Sequence, residues 1–212
     1  IENATQLISG GLGGYVIMHS STGGKYPDEI LIMDTDDIAK PCRFEKQLAV
    51  FEKDNKIDIV SSWVEEFEDD VSNVLSIRKL PELHKDIYEF AKSRNPINHP
   101  VVMFRKEVVV AAGGYQHFPL FEDYFLWIRL LMNHAQFYNI QESLLFFRFS
   151  SDMFKRRGGW KYVVNEVCFL NTIRKMGFIS LWQFVKNIFI RFIARVIPNS
   201  LRATLYKKLL RK

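Results

Sequence analysis

Three carboxylates crowd into four positions where an apolar run breaks off: Ile30-Leu31-Ile32-Met33 is followed at once by Asp34-Thr35-Asp36-Asp37. Acids this close repel one another unless a cation lies among them. A hard divalent ion, Mn²⁺ or Mg²⁺, suits such a D-x-D cluster, because it takes one or two protein carboxylates and fills its shell with water and phosphate oxygens. The same acids could instead cap the helical pattern that begins around Pro41, and these residues alone weigh the two readings about evenly. A second acidic pair, Glu122-Asp123, opens "EDYFLWIRLLMNH". Acids in a helix's first turn interact well with its dipole, whereas a carboxylate brought to the same sheet edge as the first cluster can act as a general base. Arg148, Arg156 and Arg157 offer guanidinium forks that match diphosphate oxygens, with a solvated loop as the alternative. His99, before a strand, is expected to be a hydrogen-bonded loop residue. The glycines of "SGGLGGYVIMHSSTGGK" contain neither G-x-G-x-x-G nor a G-K-[ST] ending, so no phosphate loop is expected there.

The elements that must position these groups read as an α/β chain. Residues 30–33 have the character of a short buried strand, which places the first acids at its C-terminal edge, where open α/β sheets bind ligands. Residues 1–25 show no sustained period and are expected to be loop. Residues 41–53 read as an amphipathic helix with Phe44, Leu48 and Phe51 on its apolar face and Arg43 mostly elsewhere. "KIDIVSSWVEEF" reads as a strand, "DDVSNVLSIRKL" as a loop or edge strand, and 82–93 as a short helix. Two prolines bracket a loop before a strand over Val101–Phe104, and Lys106–Ala112 is a short helix ended by Gly113-Gly114. "AQFYNIQESLLFFRFS" reads as strand, turn and strand, and Trp160 to about Met176 as a helix.

The 212 residues, 48% hydrophobic, suffice for one sizeable core with an appendage. Cys42 and Cys168 have no metal-ligand spacing, so neither a disulfide scaffold nor a zinc site is expected and a reducing cytoplasm fits best. The opening Ile1-Glu2-Asn3-Ala4 has no basic n-region or apolar h-region; the expectation is a chain without a signal peptide that begins inside a longer protein. Net charge is +5, unevenly spread: from residue 167 onward there are ten Lys/Arg and no Asp/Glu, against 19 basic and 24 acidic residues before it. An acid-free basic tail implies an acidic partner surface. Lys186, Arg191 and Arg195 interrupt the apolar run, so no stretch reads as transmembrane. Trp182, Phe184, Phe189 and Phe192 with flanking cations match a helix lying at an anionic membrane surface rather than a nucleic-acid-binding tail.

Taken together, "MDTDDIAKPCRFEKQL", "NPINHPVVMFRKEVVVAAGGY", "EDYFLWIRLL", "LLFFRFS" and "KRRGGWKYVVNE" resemble the inverting glycosyltransferase family 2, in particular the bacterial enzymes that build O-antigen, capsule or exopolysaccharide repeat units. The resemblance covers about residues 30–212. It implies a GT-A (Rossmann-like) three-layer α/β sandwich, here partial, over residues 30–160, with an altered front segment over 1–29 and a basic amphipathic helical tail over 161–212. It implies a UDP-sugar donor, UDP-glucose or UDP-galactose, with Mn²⁺ or Mg²⁺ held by Asp34 and Asp36, Asp36 being the better candidate for direct coordination, and Asp37 adjoining. Asp123 of the Glu122-Asp123 pair matches the catalytic base. The acceptor implied is a saccharide on a lipid diphosphate, met by a peripheral enzyme at the cytoplasmic face of the bacterial inner membrane. The family's opening strands, which hold the nucleoside, have no counterpart in this sequence. A catalytically inactive remnant or a membrane-surface binding module is the alternative reading.

Overall fold

Alternation along the Ile30–Met33 run sends successive side chains to opposite faces of a sheet, and this divides the molecule into layers. In the computed structural model, which describes residues 4–9, 14–19, 29–34, 36–149 and 159–196, the run lies in β3 (Glu29–Asp34). Ile30 and Ile32 pack into the larger core, whereas Leu31 and Met33 pack with Phe51, Val60 and Met103 on the other face. That second face is covered by α1 (Arg43–Lys53). The larger core is closed by α2 (His84–Ala91), α3 (Lys106–Ala111), α4 (Glu122–Met132), α5 (Gly159–Lys175) and α6 (Leu181–Val196). Among the described residues a mixed sheet therefore stands between one α-helix and five.

The other strands are β1 (Ala4–Ser9), β2 (Gly14–His19), β4 (Ile38–Ala39), β5 (Ile59–Phe67), β6 (Val74–Arg78), β7 (Met103–Arg105) and β8 (Phe137–Arg148). Their order is β1-β2-β3-β7-β5-β8-β4, with β6 added to the far half of β5. Among the described strands only β5 and β8 run parallel; the remaining pairs are antiparallel. Helix α4 is buried nearly all round, from Tyr124 to Leu131, and it forms the centre of the larger core.

Three expectations are corrected. Residues 1–25, read as loop, contain β1 and β2, an antiparallel pair in register with β3 from Gly14 opposite Asp34 to His19 opposite Glu29. Backbone pairing to the open edge of β3 needs no side-chain period, so the Gly-rich flanks concealed these strands. The turn expected within residues 135–150 is an irregularity inside one 12-residue strand. Register against β5 jumps from Ser62 opposite Ile140 to Trp63 opposite Ser143, which takes up Gln141 and Glu142 without reversing the chain. In α1 the buried stripe is Arg43, Gln47 and Phe51, with Phe44 and Leu48 only half-buried. Arg43, expected mostly off the apolar face, is buried because it finds partners there, the Ile32 carbonyl and Gln47.

Among the described residues no helix is long and apolar enough to cross a membrane. Helix α5 enters the core through Phe169, Leu170 and Ile173. Arg156, Arg157 and residues 197–212, which carry part of the expected basic tail, lie outside the described residues.

Candidate functional site

Strand β3 delivers Asp34 to its C-terminal end, where the chain turns so that the Asp37 N–H donates to the Asp34 carbonyl at 3.3 Å. Asp36 is exposed, Asp34 half-buried and Asp37 buried. Neither Asp36 nor Asp37 caps α1, which Cys42 precedes without a side-chain cap bond. Asp37 Oδ1 instead accepts the Arg148 N–H at 2.8 Å, while its Oδ2 has no partner among the described residues. Burial pushes the Asp37 carboxyl up to about 7, opposed by that hydrogen bond and reinforced by the Asp34 and Asp36 charges.

Two arginines hold this turn. Arg43, wholly buried, donates Nη2 to the Ile32 carbonyl at 2.7 Å and Nε to Gln47 Oε1 at 3.0 Å. Burial lowers it to about 9, with Asp37 opposing. Gln47 Nε2 in turn donates to the Val101 carbonyl at 2.7 Å, so one buried pair ties β3 to the segment leading into β7. Arg148, at the end of β8, donates Nε to the Asp36 carbonyl and Nη1 to the Glu68 carbonyl, each at 3.1 Å, and stacks over Phe67 at 4.6 Å. Its guanidinium thus fastens the D-x-D turn to the end of β5.

The second acidic pair divides. Helix α4 follows Phe121 without a side-chain cap bond. Half-buried Glu122 lies 3.9 Å from Nδ1 of the exposed His117. Asp123 Oδ2 accepts Asn95 Nδ2 at 2.7 Å. Asn95 belongs to the proline-bracketed loop, and its own Oδ1 accepts the Ile97 N–H at 3.3 Å, which fixes the amide with its donor toward Asp123. The loop is anchored from the sheet: Asn98 Nδ2 donates to the Ser62 carbonyl at 2.7 Å, and Asn139 Nδ2 donates to the carbonyls of Pro81 at 2.7 Å and Pro96 at 3.2 Å. At its end His99 Nε2 meets the Tyr115 hydroxyl at 3.1 Å. Tyr115 follows Gly113 and Gly114, at φ 81° and 62°, in a loop held by Arg129 of α4, which donates to the Ala112 carbonyl and, at 2.6 Å, to the Gly114 carbonyl.

These groups share one electrostatic neighbourhood. Burial raises Asp34 above the ordinary carboxyl range; His99 acts against that rise, and the charges of Asp36 and Asp123 add to it. Enclosure of the Tyr115 hydroxyl raises it well above its ordinary range, with Asp123 and then Asp34 contributing. The end of β3, the start of α4, the Asn95–His99 loop and Tyr115 therefore converge. Among the described residues no three His, Cys, Asp or Glu side chains gather as a metal cage. A D-x-D site needs fewer, since donor phosphates and water complete the shell, and the raised Asp34 carboxyl, with the Asp36 and Asp123 charges near it, is what a cation would stabilise in its ionised form. The acids present fit a divalent ion.

Sequence reasoning missed Asn95, Asn98, Tyr115 and Arg129 as parts of the site. One signal was available for Arg129: a lone cation within an otherwise apolar helix demands a dedicated partner.

No family model matches the chain. Curated relatives do. The UDP-Gal:alpha-D-GlcNAc-diphosphoundecaprenol beta-1,3-galactosyltransferase of Escherichia coli is 39% identical over 185 residues, 87% of this chain and 67% of that protein. The amylovoran biosynthesis glycosyltransferase AmsE of Erwinia amylovora is 36% identical over 83% of this chain and 65% of its own length. An uncharacterized glycosyltransferase of Haemophilus influenzae is 34% identical over 87% and 68%. The chain thus spans about two thirds of the length of these relatives. With the acidic clusters gathered on a mixed α/β fold and this degree of identity over most of its length, the chain belongs to the bacterial family 2 glycosyltransferases of O-antigen and exopolysaccharide biosynthesis.

Proposed function

We propose that this site transfers a hexose, galactose or glucose, from its UDP donor to a saccharide carried on a polyprenyl diphosphate, in a GT-A-type fold and with inversion at the anomeric carbon. The observation that carries the reading is the placement of Asp123: one carboxylate oxygen is held by Asn95, and its charge acts on Asp34 at the end of β3. The donor and acceptor classes are supported by the name of the Escherichia coli relative. Asp123 accepts the proton of the acceptor hydroxyl as that oxygen attacks the anomeric carbon. The bond from that carbon to the diphosphate oxygen breaks on the opposite face, and UDP leaves with the electron pair. Asp34 and Asp36 would hold Mn²⁺ or Mg²⁺, which when bound neutralises charge on the departing diphosphate. Arg148 keeps the turn carrying Asp36 in place, and Asp37 anchors it from beneath. Arg156 and Arg157 are proposed diphosphate contacts, and Glu122 adds negative charge in Asp123's turn. A polyprenyl acceptor places the working enzyme at the cytoplasmic face of the inner membrane, as a peripheral protein.

The test is transfer to a synthetic GlcNAc-diphosphate-lipid from UDP-galactose and UDP-glucose. One of the two donors gives product of inverted anomeric configuration, and Asp123→Asn lowers turnover roughly 10²–10⁴-fold with melting unchanged. Near-normal turnover by the folded Asp123→Asn protein overturns the assignment.

A further inference from the structure

Helix α6 is amphipathic in the wrong sense for a surface helix. Its polar groups point inward: Asn187 is buried and donates to the Lys92 carbonyl at 2.8 Å, and Arg191 donates to Glu166 Oε1 and to the Ser93 carbonyl, both at 2.8 Å. Phe184 and Ile188, on the same side, pack on the core. The opposite side is apolar and open to solvent, with Trp182 74%, Phe189 62% and Phe192 63% exposed, joined by Val185, Ile190 and Ile193. Phe184, expected among the membrane-facing aromatics, is thus a structural contact, as is Arg191; Lys186 remains as an exposed cation on the helix.

We infer that this outer face of α6 lies on an anionic lipid bilayer. Sixteen residues make a helix about 24 Å long, shorter than the ~30 Å hydrocarbon core, and its inner face is already tied to the protein, so it lies along the surface. Exposed aromatic rings, the exposed Lys186 among them and the absence of any acid along α6 complement anionic lipid. A second copy fits less well, because a two-fold contact through this face would bring Lys186, with no acid on α6 to neutralise it, toward its own duplicate. The pins also fix an orientation. Lys92 and Ser93, which receive Asn187 and Arg191, stand three and two residues before Asn95, whose amide holds Asp123, so the bilayer-facing helix is braced against the segment that carries the acceptor end of the site. The inference on the surface itself does not depend on the transfer reading, and its test requires no activity.

The experiment is sedimentation of the chain with phosphatidylcholine vesicles containing graded phosphatidylglycerol. The chain pellets in proportion to phosphatidylglycerol and is partly released by salt. Phe189→Glu, at an exposed position where folding is undisturbed, lowers partitioning at least tenfold. Arg191→Ala lowers the melting temperature, through loss of the Glu166 and Ser93 contacts, yet pellets to within about twofold of the parent when folded. Three results overturn the inference: no pelleting at any lipid composition, Phe189→Glu pelleting like the parent, or a dimer in solution that Phe189→Glu dissociates while vesicles are ignored, which would make the face an interface between copies.

Discussion

A carboxylate that accepts one strong hydrogen bond on one oxygen presents the other, and Asn95 does this for Asp123. Its geometry is over-determined, since the amide oxygen is occupied by the Ile97 N–H. A hydrogen bond to a charged group contributes about 1.5–3 kcal/mol, and each 1.36 kcal/mol is tenfold in rate. Asn95→Ala is therefore expected to lower kcat on the order of ten- to a hundredfold while the donor KM stays within about threefold, measured by initial rates with the lipid acceptor. Unchanged kcat would mean that the amide serves only the loop. Legibility at this scale was uneven. Asp34, Asp36 and Asp123 stood out because acidic clusters beside apolar runs are uncommon. Asn95 and Asn98 did not, because an Asn beside prolines is also what an ordinary loop contains, and only the sheet behind it, through Ser62 and Asn139, shows that this loop is anchored.

Helix α4 does two things along its length. Its first turn presents Asp123, and its third holds the Gly113–Gly114 loop through Arg129, so Tyr115 and Asp123 are set by one rigid body. Replacing Arg129 with Leu leaves two main-chain carbonyls without their donors, at about 1–3 kcal/mol each when buried. In a domain of this size that corresponds to a melting temperature lower by about 4–24 °C, read by calorimetry. An unchanged melting temperature would show that water satisfies those carbonyls. The helices and inner strands were legible from their periods: α1, α2, α4 and α5 fall within two or three residues of where the patterns place them. The long β8 was not, because Gln141-Glu142 carries the polarity of a turn while the backbone remains extended beside β5. The outward apolar face of α6 was not either, since a helical period identifies a stripe without saying which side meets the protein.

At the scale of the whole molecule, one sheet edge collects acids from distant parts of the chain. Asp34 comes from β3, Asp123 from α4, and the anchoring arginines from α1 and β8, so the site exists only in the folded chain. The layers follow from alternation in β3, which the sequence displays plainly; β1 and β2, which extend the sheet beyond it, leave little trace because the pairing is made by backbone. The basic end of the chain lies apart from this acidic edge in sequence, and the two are joined through α6 and the Lys92–Asn95 segment. Asp34 and Asp36 are the proposed holders of a metal-bound nucleotide, with Asp123 beside them as the base. The most direct test of that metal site is the melting temperature of the chain with UDP, with Mn²⁺, and with both. A ligand that binds only the folded state stabilises it by mass action, and phosphate oxygens complete the metal shell, so the two together raise the melting temperature by more than the sum of the separate shifts. Asp36→Asn abolishes that excess while the protein alone melts as before. Additive shifts in the parent, or the same excess in Asp36→Asn, would mean that these acids do not hold a metal-bound nucleotide.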